Sequence, residues 1–261
     1  MALPFQGTAY ALSAEGLAAV ADTLGVFAAE IWTVLSVETS GCGYLSDRRP
    51  QILFERHIFH RLTQGQYDAN GDISSPTPGG YGSPGRHQYD RLTQAIADDR
   101  AAALQSASWG IGQIMGENFA AAGFADVEEM VQAMSGSEDQ QLTAISSFMI
   151  SKKLHVSLQS HDWATFAAGY NGPNYRTNRY DVRLNAEYQK YSAGVMPDIN
   201  VRAAQLYLTY LGFHPGPVDG IAGERTLAAL AQFQASASAA TSAGISGDTI
   251  SELQAALPIL S

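Results

Sequence analysis

One cysteine, Cys42, stands in 261 residues. That excludes an intrachain disulfide and any cysteine-based metal cluster. Charge is also scarce, at 15% of residues, and bases are the scarcer kind: 15 Lys and Arg against 25 Asp and Glu, a net charge of -10. A pI near 4.9 excludes the basic surface with which nucleic-acid binders hold phosphate. It gives no electrostatic help toward anionic membranes or polymers, so a shaped groove would have to hold such a ligand. No apolar run approaches the length of a membrane span. Met1 to Tyr10 has neither the basic n-region nor the long apolar h-region of a secretory signal. The expectation is a monomer made and folded in the cytosol, not inserted in a membrane, with any export left to another agent. What the chain does have is 46% hydrophobic residues, enough for a core and too many for disorder. Its length suits one large domain, or one large and one small.

The most informative stretch is Ser36-Val37-Glu38-Thr39-Ser40-Gly41. Ala28 to Val37 carries Ile31, Trp32, Val34, Leu35 and Val37 at helical spacing. Gly41 and Gly43 then end the helix. Glu38 thus closes an apolar helix at the mouth of a core. Partial burial raises a carboxyl pKa and lets it hold a proton near neutral pH, as a general acid must. The alternative is an ordinary helix-terminal Glu paired with Arg48 or Arg49. Upstream, Ser13 caps a helix with Leu17, Val20, Ala21 and Leu24 on its apolar face. Downstream, Asp47-Arg48-Arg49-Pro50 is a turn signal. Gln51 to His60 reads as a strand or hairpin passing into a short helical turn. Glu55 is the main candidate for a second carboxylate and Asp47 another, although Glu55 could equally pair with Arg56. His57 and His60 lack a third ligand and do not make a metal site.

Asp68 to Arg86 is too rich in Gly and Pro to be an element, and loops of such length are often lids or binding loops. Its Asp68-x-Asn70-x-Asp72 spacing lacks the Gly and Glu of a calcium loop. Gln88 to Ser106 reads as helix. In Ser108-Trp109-Gly110-Ile111-Gly112-Gln113-Ile114, two glycines interrupt an apolar run and imply close backbone approach. Gln113 offers both a donor and an acceptor to a polar substrate, or else satisfies buried backbone. Asp126-Val127-Glu128-Glu129 and Ser137-Glu138-Asp139-Gln140 have capping-box form. Asp162 caps a helix ending at Ala168-Gly169-Tyr170-Asn171-Gly172-Pro173, where the Gly-Pro break holds Tyr170 and Asn171 at a helix terminus. Tyr175 to Tyr191 reads as a long polar helix.

Glu38-Thr39, Gly110-Ile111-Gly112-Gln113-Ile114 and Gly169-Tyr170-Asn171-Gly172 occur in that order. The set resembles the motif triplet of goose-type lysozymes and soluble lytic transglycosylases. Together with Arg49-Pro50-Gln51-Ile52-Leu53-Phe54-Glu55-Arg56-His57 and Ser108-Trp109-Gly110, it resembles the N-acetylmuramidase domain of phage endolysins over about Ala11 to Ala193. Thr39, Gly112 and Gly169 depart from the usual Ser, Met and Ala, leaving the Glu, Gln, Tyr and Asn in place. After Met196-Pro197-Asp198, the landmarks Gln205, Leu211-Gly212-Phe213, Val218-Asp219-Gly220 and Phe233-Gln234 resemble a three-helix peptidoglycan-binding domain. Asp219-Gly220 reads as a structural turn before a ligand contact, and Ala235 to Ala243 as an Ala/Ser-rich loop.

These resemblances imply a mainly α fold. A lysozyme-like helical domain with a small β hairpin region would span 1–195, and a three-helix peptidoglycan-binding domain 196–261. They imply hydrolysis of the β-1,4 bond between N-acetylmuramic acid and N-acetylglucosamine in bacterial peptidoglycan, without a cofactor. Glu38 would be the acid. Glu55 or Asp47 would be a base, about 6.5–9.5 Å from the acid in an inverting enzyme. A lytic transglycosylase would manage with Glu38 alone, and a silent wall-binding protein would use neither. Gln113, Tyr170, Asn171 and Trp109 are candidate saccharide contacts, Trp109 as a sugar platform or else as core. A phage enzyme without its own signal would act on the periplasmic wall after release from the host cytoplasm.

Overall fold

A computed structural model describes residues 3–38, 42–194, 196–237 and 244–260. Thr39, Ser40 and Gly41 of the leading motif lie outside the described residues, as does most of the Ala/Ser-rich stretch. In chain order the elements are α1 (Ala14–Leu24), α2 (Ala28–Glu38), β1 (Ile52–Phe54), α3 (Arg56–Leu62), α4 (Arg86–Asp98), α5 (Arg100–Gln105), β2 (Ala107–Trp109) and β3 (Ile114–Met115). Then come α6 (Val127–Gly136), α7 (Glu138–Ser151), α8 (Leu154–Gln159), α9 (Trp163–Tyr170), α10 (Tyr180–Ser192), α11 (Ile199–Tyr210), α12 (Glu224–Ala237) and α13 (Gly247–Ala255). The mainly α fold with a small sheet is present as expected.

The helix starts follow local chemistry. Ser13, Asp126, Ser137 and Asp162 each accept a backbone N–H of the first turn of the helix they cap, satisfying donors that have no intrahelical partner. Two helices expected to be continuous are divided. Asp99 turns to extended backbone and accepts from Ala102 N, starting α5 anew. Arg179, at φ 52°, separates a 3-10 turn over Tyr175–Asn178 from α10.

The helix α2 is not the one-sided stripe its spacing suggests. Ala29 through Leu35 and Val37 are all buried, so it runs through the middle of the larger core, with α1 and α10 packed against it. Helices α1 and α2 meet at 105°, and among the described residues no single helix is long and apolar enough to cross a membrane. The strands form one antiparallel sheet in the order β1-β2-β3, with Ile52 opposite Trp109 and Phe54 opposite Ala107. Residues 43–51, ahead of β1, form a tight hairpin, with Tyr44 paired to Pro50. Gln51 N donates to Gly43 O at 2.7 Å, and Tyr89 holds Pro50 O from the side at 2.8 Å. Glu55 therefore follows directly on a short, braced hairpin and strand.

The helices α11, α12 and α13 form the expected three-helix unit, but its core is not its own. Ala9, Ala11 and Tyr44 from the front of the chain join Ala203, Leu206, Leu208, Leu230, Phe233 and Leu253 in one cluster. Tyr207 accepts from Ala11 N at 3.1 Å, Tyr210 donates to Ala9 O at 3.1 Å, and Arg48 reaches Pro258 O at 2.7 Å. At the seam the fully buried Glu138 takes two hydrogen bonds from Arg202, at 2.5 and 2.9 Å. Its oxygens also accept from Leu12 N at 2.9 Å and Gly43 N at 2.8 Å. The Asp219-Gly220 turn is structural, as expected. Gln205 accepts from both backbone N–H groups and donates to the Asp219 carboxylate.

Candidate active site

Glu38 is the last residue of α2, and its carboxyl is largely withdrawn from water. Oε1 accepts from Asn171 Nδ2 at 2.9 Å. Arg183 of α10 donates to Val37 O at 3.0 Å, covering a carbonyl at the end of α2 and bringing a cation near Glu38. Burial dominates and raises the carboxyl pKa to about 7, while the Asn171 hydrogen bond and the Arg183 charge pull it down. The carboxyl therefore stays protonated well above the usual range for Glu. Neither Arg48 nor Arg49 is its partner: Arg48 binds Thr8 O and Pro258 O, and Arg49 grips Asp47.

Asn171 sits just beyond α9. Its Nδ2 is engaged by Glu38, and its Oδ1 is buried with no partner among the described residues, an acceptor free for an N–H or O–H from outside. Tyr170 stacks on Phe166 with ring centres 5.5 Å apart and donates to Gly112 O at 2.9 Å. Burial, then the nearby Glu38 charge, holds its phenol well above the usual range. Close packing on both sides explains the glycine at 112. A Cβ there would overlap the Ile145 side chain and crowd the Tyr170 hydroxyl. Tyr170 thus ties α9 to the 110–113 turn beside Glu38.

Two expected saccharide contacts are otherwise occupied. Trp109 is a correction: it is 0% exposed, and its Nε1 donates to Leu104 O at 3.1 Å, so it offers no face to a sugar. Its place in β2 turns it into the core, where it packs against Phe5. Gln113, at φ 49°, uses its amide within the protein. Nε2 donates to Gly110 O at 2.8 Å and Gln51 O at 3.3 Å, and Oε1 accepts from Ser108 at 2.8 Å. It braces the turn and the end of the 43–51 hairpin, the alternative its sequence position left open.

Glu55 stands where β1 passes into α3, its side chain 15% exposed. It does not pair with Arg56, whose guanidinium binds Gly79 O and Gly71 O. Oε2 lies 3.0 Å from His57 Nδ1, close enough for charge attraction but not aligned as a hydrogen bond. Burial raises the carboxyl pKa, while His57 and the Tyr81 hydroxyl oppose the rise. Asp47, the other candidate, is held by Arg49 at 2.8 and 3.1 Å and faces Arg86 at 3.8 Å. It locks the hairpin and is not a free base. His60 is taken by Asp68 at 2.8 Å.

The structure thus joins Glu38, Asn171 and Tyr170, with Arg183 and Tyr180 of α10 alongside; Tyr180 feels the Glu38 charge. Glu55 forms a separate group with His57 and Tyr81. Arg183, Tyr180 and Tyr81 were missed from the sequence. The only signal for the first two was the density of Tyr and Arg between residues 175 and 191.

The N-acetylmuramidase family profile matches residues 27–192. The chain belongs to the N-acetylmuramidase family. A peptidoglycan-binding domain profile matches residues 198–242 of this muramidase. Among solved structures, the muramidase is similar to the crystal structure of the Burkholderia AP3 phage endolysin. The identity is 38% over 73% of this chain and 72% of that chain, with a TM-score of 0.64. No curated protein sequence matches it. The muramidase is a glycoside hydrolase of the lysozyme type that cleaves bacterial peptidoglycan.

Proposed function

We propose that Glu38 is the general acid of this muramidase and Glu55 the base that activates water. Glu38 protonates the oxygen linking N-acetylmuramic acid to N-acetylglucosamine, and the C1–O bond breaks as that oxygen leaves as a hydroxyl. Water adds to C1 and gives its proton to Glu55. One water is consumed, and both carboxyls recover their starting states by exchange with solvent. The observation that carries this reading is the elevated proton affinity of Glu38, about 7, together with Asn171, its side-chain donor among the described residues. The amide holds Oε1 and leaves Oε2 to deliver the proton. Glu55, with His57 and Tyr81 favouring its charged form, is suited to accept one. Asn171 Oδ1 takes a hydrogen bond from the saccharide or the attacking water. Tyr170 and Gln113 keep the cleft wall in place.

The C-terminal helices hold the enzyme on the wall polymer, and lysis of a host cell from within is the role that fits this pair of domains. The test is mass spectrometry of muropeptides released from purified peptidoglycan by the wild type, Glu38→Gln and Glu55→Gln. Reducing muramic acid ends from the wild type and almost none from either variant are expected. Anhydro-muramic ends would remove Glu55 from the mechanism, and full release by Glu38→Gln would remove Glu38.

A further inference from the structure

Helix α7 opens with two buried polar side chains that the reaction does not use. Glu138 and Gln141 are one turn apart in it, so they share a face of the helix. Glu138 Oε1 accepts from Gly43 N at 2.8 Å, shortly after Glu38 in the chain. Gln141 Oε1 accepts from Ile111 N at 2.7 Å, in the turn whose Gly112 O holds Tyr170. Its Nε2 donates to Met134 O at 2.7 Å, which fixes the amide. The two grips meet, since a Cβ on Gly43 would overlap Gln141 Oε1 and crowd Ile111 N. The hairpin adds a second tie: Gly43 O accepts from Gln51 N at 2.7 Å, and Gln51 O accepts from Gly110 N at 2.8 Å. Gly43, the hairpin end and the 110–113 turn thus form one hydrogen-bonded block on the opening turn of α7. Tyr170 and Asn171 join that block to the Glu38 carboxyl.

The block is closed from the far side by the C-terminal unit. Arg202 of α11, buried, gives Glu138 two hydrogen bonds at 2.5 and 2.9 Å. Its guanidinium carbon also lies 5.9 Å from the ring of Trp32, in the helix that ends on Glu38. We propose that Arg202 is a positioning residue for the cleavage, so that the C-terminal unit completes the cleft wall through Glu138 in addition to any hold on the polymer. The inference rests on Glu38 being the acid, because the block it fixes is the one tied to that carboxyl. A buried carboxylate stripped of its cation is costly, and it relieves itself by taking a proton or by moving toward water. Either response weakens the grip on Gly43 and loosens the block. A displacement of about 1 Å at the reacting groups is enough to cost about 10²-fold in rate.

The experiment reads kcat and KM on a short soluble glycan of alternating N-acetylglucosamine and N-acetylmuramic acid, which needs no anchoring to an insoluble wall. Wild type is compared with Arg202→Met, Arg202→Lys, the double variant Arg202→Met with Glu138→Leu, and Glu38→Gln. Circular dichroism gives the folded fraction, and kcat is expressed per folded molecule. Arg202→Met and the double variant are expected to lower kcat about ten- to a hundredfold, the scale of a misplaced catalytic group, with KM unchanged. Arg202→Lys keeps the charge but loses the two-point grip, and its kcat should fall between. The double variant leaves no buried charge unpaired, so it decides the matter where Arg202→Met does not fold. Should both unfold, Arg202→Lys decides: a lowered kcat at unchanged KM upholds the inference, and the wild-type kcat overturns it. Lower melting temperatures with an unaltered kcat per folded molecule make the seam a stabiliser only and overturn it. Slower release from whole peptidoglycan beside an unaltered kcat on the soluble glycan makes the C-terminal unit a tether only and also overturns it. An active Glu38→Gln refutes the assignment of Glu38, and the inference falls with it.

Discussion

Glu138 begins α7 and Glu38 ends α2, and both carboxyls are turned away from water. Glu138 stands at the helix end where the macrodipole favours negative charge. It faces the Arg202 guanidinium and two backbone N–H groups. Glu38 stands at the opposite end, where the dipole opposes a carboxylate, and has Asn171 and a more distant Arg183. The saturated carboxyl holds two parts of the molecule together. The under-supplied one keeps a proton that it can give away. For a buried Glu, the number and kind of donors decide whether it is structural or reactive.

The strongest challenge to this contrast is Glu38→Gln. Loss of the acid should lower kcat about 10²- to 10⁴-fold, the usual worth of general acid–base catalysis, in a muropeptide release assay. A smaller loss would mean that Glu38 is not the proton donor. On the other side, Arg202→Ala leaves Glu138 buried without its cation. Breaking a buried pair in this way should cost about 3–5 kcal/mol in urea unfolding. A loss below about 1 kcal/mol, the level of a surface pair, would take the seam out of the account of stability.

The third prediction reads both proton affinity and stability from one variant. The Glu38 pKa rises from 4.5 to about 7 on folding. Its favourable contribution is therefore full below pH 4.5 and is lost as pH rises through 7. Glu38→Gln carries no such penalty. At pH 8 it should be more stable than the wild type by up to about 3 kcal/mol, at about 1.4 kcal/mol per pKa unit, with the gain absent at pH 4. Thermal melts at the two pH values decide it; equal differences at both would refute the raised pKa.

Asn171→Ala removes the donor that lowers the Glu38 pKa. The basic limb of the rate profile should move to higher pH, with kcat down roughly tenfold, as for one hydrogen bond. A basic limb that stays in place would separate Asn171 from the acid. The smallest effect concerns Cys42. Burial, then the Glu138 charge, pushes its thiol up to about 11. Iodoacetamide at pH 8 should label it far more slowly than free cysteine, since the thiolate is the reacting form.

Much of this was legible before folding. The caps Ser13, Asp126, Ser137 and Asp162 act on neighbours within a few residues, so local chemistry sufficed. Glu38 was legible because an apolar helix ended on it and two later motifs followed in order. Trp109 misled because an aromatic beside a glycine turn looks the same in sequence whether it faces the cleft or the core; the β2 register turned it inward. Gln113 offered a donor and an acceptor, and nothing local told that Gly110, Gln51 and Ser108 would take them.

By its own pattern, then, the chain determined where its capped helices begin, that one helix ends on a carboxyl, that a three-helix unit follows the larger domain, and the family to which these motifs belong. Tertiary structure decided which carboxyl holds a proton, because burial sets its affinity against the donor Asn171 and the cation Arg183, all supplied from far away in sequence. It also made Asp47 a lock and set Glu55 beside His57 and Tyr81. The same contacts let Ala9, Ala11 and Tyr44 complete the core of a unit that begins about two hundred residues later. Contacts between distant segments carry no signature in either segment alone, and proton affinity depends on those contacts.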